Sequence, residues 1–252
     1  MERIALTLMA HPDDAEILCG GTLALLASRG WRVHIASASR GDCGSSTLPA
    51  EEIAAIRARE GREAARVIDG VYHCLDAWDA LVLYGADLLR RACGLFREVR
   101  PSLVITHNPS DYMVDHEQIS LVARATAFNA PIPNAPAPPG TTPLERIPHL
   151  YYADPVEGKS SLGDAVRPAL LIDVTAVMET KLRMVSAHAS QREWLRSHHG
   201  VDEYLESTKR WGAARGELIG REYAEGFRQH RGHAYPQDDL LGATLKEHAH
   251  PL

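Results

Sequence analysis

IALTLMAHPDD, residues 4–14, holds six strand-forming positions that stop abruptly in a histidine, a proline and two adjacent aspartates. Ile4–Met9 is short and mostly apolar, as expected of a strand buried on both faces. Pro12 keeps His11 out of a helix. Ile17–Ser28, rich in Ala and Leu, then reads as a helix that ends before Gly30. A buried strand that breaks into a polar turn and re-enters a helix is the opening unit of a parallel α/β sheet.

The same alternation continues outward. Val33–Ala38 reads as a second strand and Ser39–Pro49 as a polar loop. Glu51–Ile68 carries apolar residues at helical spacing, and Val71–Leu75 is a third short strand. Ala86–Val99 reads as a helix, Leu103–Thr106 as a fourth strand and Ile119–Phe128 as a helix. This order predicts an α/β fold, a Rossmann-like, doubly wound, mostly parallel sheet with helices on both faces. Ligands of such sheets bind at the carboxyl ends of the strands. His11–Asp14, Ser39–Gly44 and His107–His116 each follow a strand directly, so they share one rim. Beyond them, residues 130–148 hold seven prolines and read as a loop, either a surface connection or a wall of a site. His149–Ala153 and Ala169–Val174 read as further strands, Met178–Leu195 as a helix and Arg210–Arg228 as a final helix softened by glycines. Residues 1–235 read as one domain, and 236–252 as a polar C-terminal tail.

Composition narrows the function. A net charge of −6 with dispersed arginines gives no footprint for nucleic acid. No apolar run approaches the roughly 18 residues that span a bilayer. Four cysteines without CxxC spacing fit a reduced, cytoplasmic setting.

Imidazole nitrogen and carboxylate oxygen are good zinc ligands, and a catalytic zinc usually has three protein ligands and an open position. His11 and Asp14 supply two donors. Asp111-Tyr112-Met113-Val114-Asp115-His116, entering a helix from the fourth strand, offers His116 as the third. Asp13 is then left free beside the metal, placed to act as a general base. The plainer alternative for this turn is an aspartate capping the following helix.

These residues resemble the PIG-L or LmbE-like de-N-acetylases. The AHPDD-type motif is Ala10–Asp14, and the second motif ends in Asp115-His116. Ile56-Arg57-Ala58-Arg59-Glu60 looks like the family's Arg-rich helix, Lys181 with His188-Ala189-Ser190-Gln191 like its K…HxSQ helix, and Tyr223–Phe227 like its closing AE-F element. The resemblance implies a zinc-dependent hydrolase, with Zn2+ replaceable by Fe2+, Mn2+ or Co2+. It would remove an N-acetyl group from an amino sugar or its glycoside. His11, Asp14 and His116 would bind the metal and Asp13 would activate its water. It also implies a small N-acetylated substrate and a homo-oligomer. Alternatives are an amidase or esterase on a non-sugar metabolite and an inactive sugar-binding relative.

The chain departs from the family at Met113, where a histidine is common and is thought to hold the oxyanion. A thioether cannot donate a hydrogen bond. Tyr112 and His107 are candidates for that role, with His188 behind them. Arg57, Asp79 and Asp42 are candidate substrate contacts, and Trp78 and Trp194 could stack on a sugar face.

Overall fold

A computed structural model describes residues 3–192 and 203–252. Eight strands form one sheet in the order β3-β2-β1-β4-β5-β7-β6-β8. β1 (Ile4–Met9), β2 (Arg32–Ser39), β3 (Val71–Ala77), β4 (Leu103–Thr106) and β5 (His149–Ala153) run parallel. β6 (Leu170–Asp173), β7 (Ala224–Gln229) and β8 (Ala249–Pro251) extend the sheet antiparallel.

Period-two alternation divides the core. Ile4, Leu6 and Leu8 face α3 (Ala86–Val99) and α4 (Val114–Asn129), meeting Phe96 and Ile119. Ala5 and Met9 face the other side, packing with Leu23 of α1 (Asp14–Ser28), Ala65 of α2 (Ala50–Arg66) and Met184 of α5 (Met178–Ser186). The doubly wound sheet expected from the sequence is therefore present. The chain winds from β1 outward to β2 and β3, then returns to place β4 on the other side of β1. This reversal opens a crevice between the β1 and β4 ends, the usual ligand position in such a sheet.

Two C-terminal expectations need correcting. Arg210–Arg228 is not one helix: α6 (Glu203–Glu217) ends early, and Ala224–Gln229 is strand β7, buried between β5 and β6. Residues 236–252 are not a free tail, because Leu241 and Leu245 are fully buried and β8 pairs with β6. α7 (Leu240–Thr244) starts at Asp239, whose side chain caps Gly242. The expected helix Met178–Leu195 is interrupted after Ser186, and its last residues lie outside the described ones. The proline-rich segment is tied to α3 by the buried Arg97, which donates to the carbonyls of Ala130 and Ile132.

α1 is broken at Cys19, whose φ of −143° is not helical. The carboxylate of Glu225 on β7 caps the second half of the helix, accepting from Gly21 N–H at 2.9 Å and Thr22 N–H at 2.7 Å. Lys181 Nζ, equally buried, donates to the same carboxylate at 2.7 Å. A side chain at Gly21 would strike Val174 at 2.7 Å, so only glycine fits this seam.

Candidate active site

His11, Asp13 and Asp14 leave β1, and His116 lies in the first turn of α4 after β4, so the crevice brings them together. His11 Nδ1 lies 3.3 Å from Asp14 Oδ2. His116 Nε2 lies 3.3 Å from His11 Nδ1 and 3.6 Å from Asp14 Oδ1. A tetrahedral shell with bonds of about 2.0–2.2 Å has donor–donor edges of roughly 3.3–3.6 Å. The two imidazole nitrogens and the two oxygens of the Asp14 carboxylate therefore already stand at the spacing of one metal's ligands.

Each histidine turns its other nitrogen to a carboxylate. His116 Nδ1 is 2.9 Å from Asp111 Oδ1, and His11 Nε2 is 3.2 Å from Asp115 Oδ2. Such partners fix the tautomer and the ring orientation of metal-binding histidines. Asp14 Oδ2 accepts from the His11 backbone N–H at 2.7 Å. Burial lowers the pKa of His11, but hydrogen bonds to Asp115 and Asp14 and the charges of Asp14 and Asp79 push it up to about 10. Burial raises Asp14, yet the flanking His116 and His107 hold it well below the usual carboxylate range. The cluster is an excess of negative charge and lone pairs that calls for a cation.

Asp13 adopts φ 130°, a strained conformation for a residue with a side chain. The turn throws its carboxylate off the donor triangle. There Asp13 Oδ2 accepts from the Tyr204 hydroxyl at 2.6 Å and pairs with Arg57 at 3.1 Å. Burial raises its pKa and Asp14 adds to this, against Arg57 and Tyr204. Arg57 also donates to the Pro12 carbonyl at 2.6 Å. Gly41, at φ +73°, makes room for it, since a Cβ there would lie 2.6 Å from Arg57 Cδ.

A cavity of about 530 Å³ covers these groups, and Arg57, Asp79, Tyr112 and Met113 also line it. Asp79 is 8% exposed, and its Oδ1 has no hydrogen-bond partner among the described residues. Tyr112 is 62% exposed and sets its ring edge against His116.

Three expected contacts stand elsewhere. His107 is fully buried beneath the site, with Nε2 3.1 Å from both Ala10 N and Asp14 Oδ2 and its ring stacked on His116. It supports the ligands and does not face the cavity. Asp42 accepts from the Asp79 backbone N–H at 2.9 Å, so it shapes the Asp79 loop rather than meeting substrate. His188 is fully buried, 3.6 Å from Glu16 Oε2. Trp78 carries the Arg40 guanidinium on its ring face, 4.0 Å from the centroid, and Trp194 lies outside the described residues.

Tyr204 left no mark in the sequence, since it reaches Asp13 from a helix almost two hundred residues away. Asp111 and Asp115 carried one: carboxylates beside a ligand histidine are its natural partners. The late motif elements are latches. Ser190 donates twice to Glu60 of α2, at 2.7 and 2.6 Å, and Gln191 donates to the Gly44 carbonyl at 3.0 Å.

Fold and site together define a Rossmann-like α/β protein with a cluster of two histidines and one aspartate at its switch point that could hold a metal ion. Residues 6–127 match the model of the PIG-L family, described as GlcNAc-PI de-N-acetylase. Residues 6–127 therefore carry the domain of that family. It is 25% identical over 201 residues to a 4-oxalmesaconate hydratase of Pseudomonas putida, covering 75% of this chain and 74% of the relative. It is 28% identical over 232 residues to a diacetylchitobiose deacetylase of Thermococcus kodakarensis, covering 86% and 79%. The solved N,N'-diacetylchitobiose deacetylase of Pyrococcus horikoshii superposes with a TM-score of 0.78 at 24% identity, over 94% of this chain and 88% of that one. No described helix is long and apolar enough to cross a membrane.

Proposed function

We propose that the protein is a metal-dependent hydrolase that removes the N-acetyl group of an amino sugar or amino-sugar glycoside. The observation that carries this is the donor triangle of His11, Asp14 and His116, with Asp13 free beside it under a cavity. His11, Asp14 and His116 would hold Zn2+, or Fe2+, Mn2+ or Co2+ in its place. A bound divalent ion lowers the pKa of water and polarises a carbonyl oxygen.

Asp13 takes the proton of the attacking water and returns it to the leaving amine nitrogen. Its raised pKa suits a carboxyl that must carry that proton. Tyr204 and Arg57 hold Asp13 Oδ2 in place for both transfers. Tyr112, with a hydroxyl on the cavity wall beside Met113, takes the donor role that the methionine cannot fill. Asp79 Oδ1, buried and without a hydrogen-bond partner among the described residues, accepts a hydrogen bond from a sugar hydroxyl.

The hydratase relative raises a second chemistry, addition of water to a carboxylate-rich substrate. The site favours the first. Asp13, Asp14 and Asp79 line the cavity, and Arg57, the sole arginine or lysine lining it among the described residues, is already engaged. The test is acetate release from a panel of N-acetylated sugars, with metal stripped and restored. Restored metal should return acetate release, and His11→Ala should abolish it. No acetate from any member overturns the proposal.

A further inference from the structure

The cavity has two unlike halves. Toward β2 and β3 it is lined by Asp79, Arg57 and Gln191, with the Gly44 backbone. Toward β5 and α6 it is lined by Ile17 and Leu18 from the start of α1, Val156 after β5, and Trp211 on α6. Sheet order imposes this division, since β2 and β3 lie on one side of β1, and β5 with the helix packed on β7 lies on the other.

The apolar wall is shared. Ile17, Leu18, Val156 and Trp211 also border a second, smaller cavity, whose remaining walls are charged, with Lys181 paired to Glu225 and Arg215 to Asp154, so the apolar surface ends at these four side chains. An acetyl methyl cannot cover four such side chains.

We propose that the apolar half is an acyl subsite, and that the enzyme prefers linear N-acyl groups of about four to six carbons, whose added methylenes cover the wall. This rests on the hydrolase reading above. The polar half, where Asp79 Oδ1 has no hydrogen-bond partner among the described residues, takes the hydroxyl-bearing amine portion. The other substituent of the scissile amide, the acyl group, then falls to the apolar half. The reaction breaks the amide C–N bond. It forms a C–O bond from water, and gives the water's other proton to nitrogen, releasing a fatty carboxylate and a free amine.

The test compares N-acetyl-, N-butanoyl- and N-hexanoylglucosamine, which all release the same amine, and N-acetylglucosamine bearing an octyl aglycone. kcat/KM should rise roughly fourfold per methylene of the acyl chain, the factor given by about 0.8 kcal/mol per buried CH₂. Trp211→Ala should shrink the hexanoyl-to-acetyl ratio, and Trp211→Phe should keep most of it. In the unaltered enzyme, hexanoate should inhibit more tightly than acetate, a measurement that needs no variant. Cleavage of the acetyl compound as well as or better than the longer chains overturns the acyl subsite alone. A gain only from the octyl aglycone assigns the wall to the amine side and overturns it likewise. No cleavage of any member overturns the hydrolase reading and the subsite with it.

Discussion

Asp111→Asn isolates what a carboxylate behind a ligand does. Asp111 is 1% exposed, with Oδ1 2.9 Å from His116 Nδ1 and Oδ2 3.9 Å from His107 Nδ1. Asparagine keeps the shape and one acceptor, but removes the charge and turns an amide toward a second ring nitrogen. Loss of such a partner weakens metal binding by about 10–100-fold, or roughly 1.4–2.7 kcal/mol. Because bound metal stabilises only the folded state, the metal-induced gain in stability should fall by the same amount. For a chain of this size that is roughly 3–10 °C less metal-induced rise in Tm. The assay is competition with a chromophoric chelator for Zn2+ or Co2+, together with thermal unfolding with and without metal. Asp238→Asn is the control, since Asp238 makes a similar 2.9 Å contact to His149 on the exposed surface. If Asp111→Asn binds metal within threefold of the unaltered protein, His116 Nε2 is not a ligand and the donor triangle is wrongly drawn.

Tyr204→Phe removes a hydroxyl 2.6 Å from Asp13 Oδ2. A hydrogen bond to a charged group contributes about 1.5–3 kcal/mol, so kcat should fall roughly 10–150-fold with metal content unchanged; a loss under twofold would remove Tyr204 from the chemistry. Lys181→Met leaves the buried Glu225 without its cation and should cost about 3–5 kcal/mol, read from the denaturant midpoint. His34 Nδ1 and His73 Nε2 lie 2.9 Å apart, and burial, with the neighbouring His73 and Arg32, lowers His34 to about 4 from its ordinary 6.5. Between these values the unfolded chain binds more protons, so stability is full above 6.5 and declines as pH falls toward 4. His34 is about half solvated, which screens the effect to on the order of 1 kcal/mol. Unfolding at pH 5 and 7.5 should show this difference, and His34→Gln should remove it.

The parallel half of the sheet was legible because its strands are short apolar runs separated by amphipathic helices, a pattern set by burial on both faces. The candidate metal site was legible because His11, Asp14 and His116 follow the ends of two parallel strands, where such sheets bind ligands. β7 was not. Ala224-Glu225-Gly226-Phe227 has the glycine and the charge of a loop, and Glu225 becomes buried only because Gly21, Thr22 and Lys181 meet it from elsewhere. His107 and Asp42 were placed on the rim and His188 on a late helix, and none of the three lines the cavity. Sequence order shows which loop carries a residue, but not whether its side chain faces the cavity or the layer beneath. Met113 does line the cavity, so the departure from the family pattern falls within the site itself.

The Glu225 clamp also sets an order of events during synthesis. His11 and Asp14 emerge among the first residues, but the carboxylate that caps the second half of their helix follows 204 positions after Gly21. At 5–20 residues per second, a ribosome needs about 10–40 s to deliver it. During that interval the leading motif lacks its cap in trans, and the N–H groups of Gly21 and Thr22 face water. His11 and Asp14 are therefore among the first residues to be made and among the last to be locked in place. A nascent chain halted before residue 224 should expose this helix to proteolysis, and one released after residue 229 should protect it.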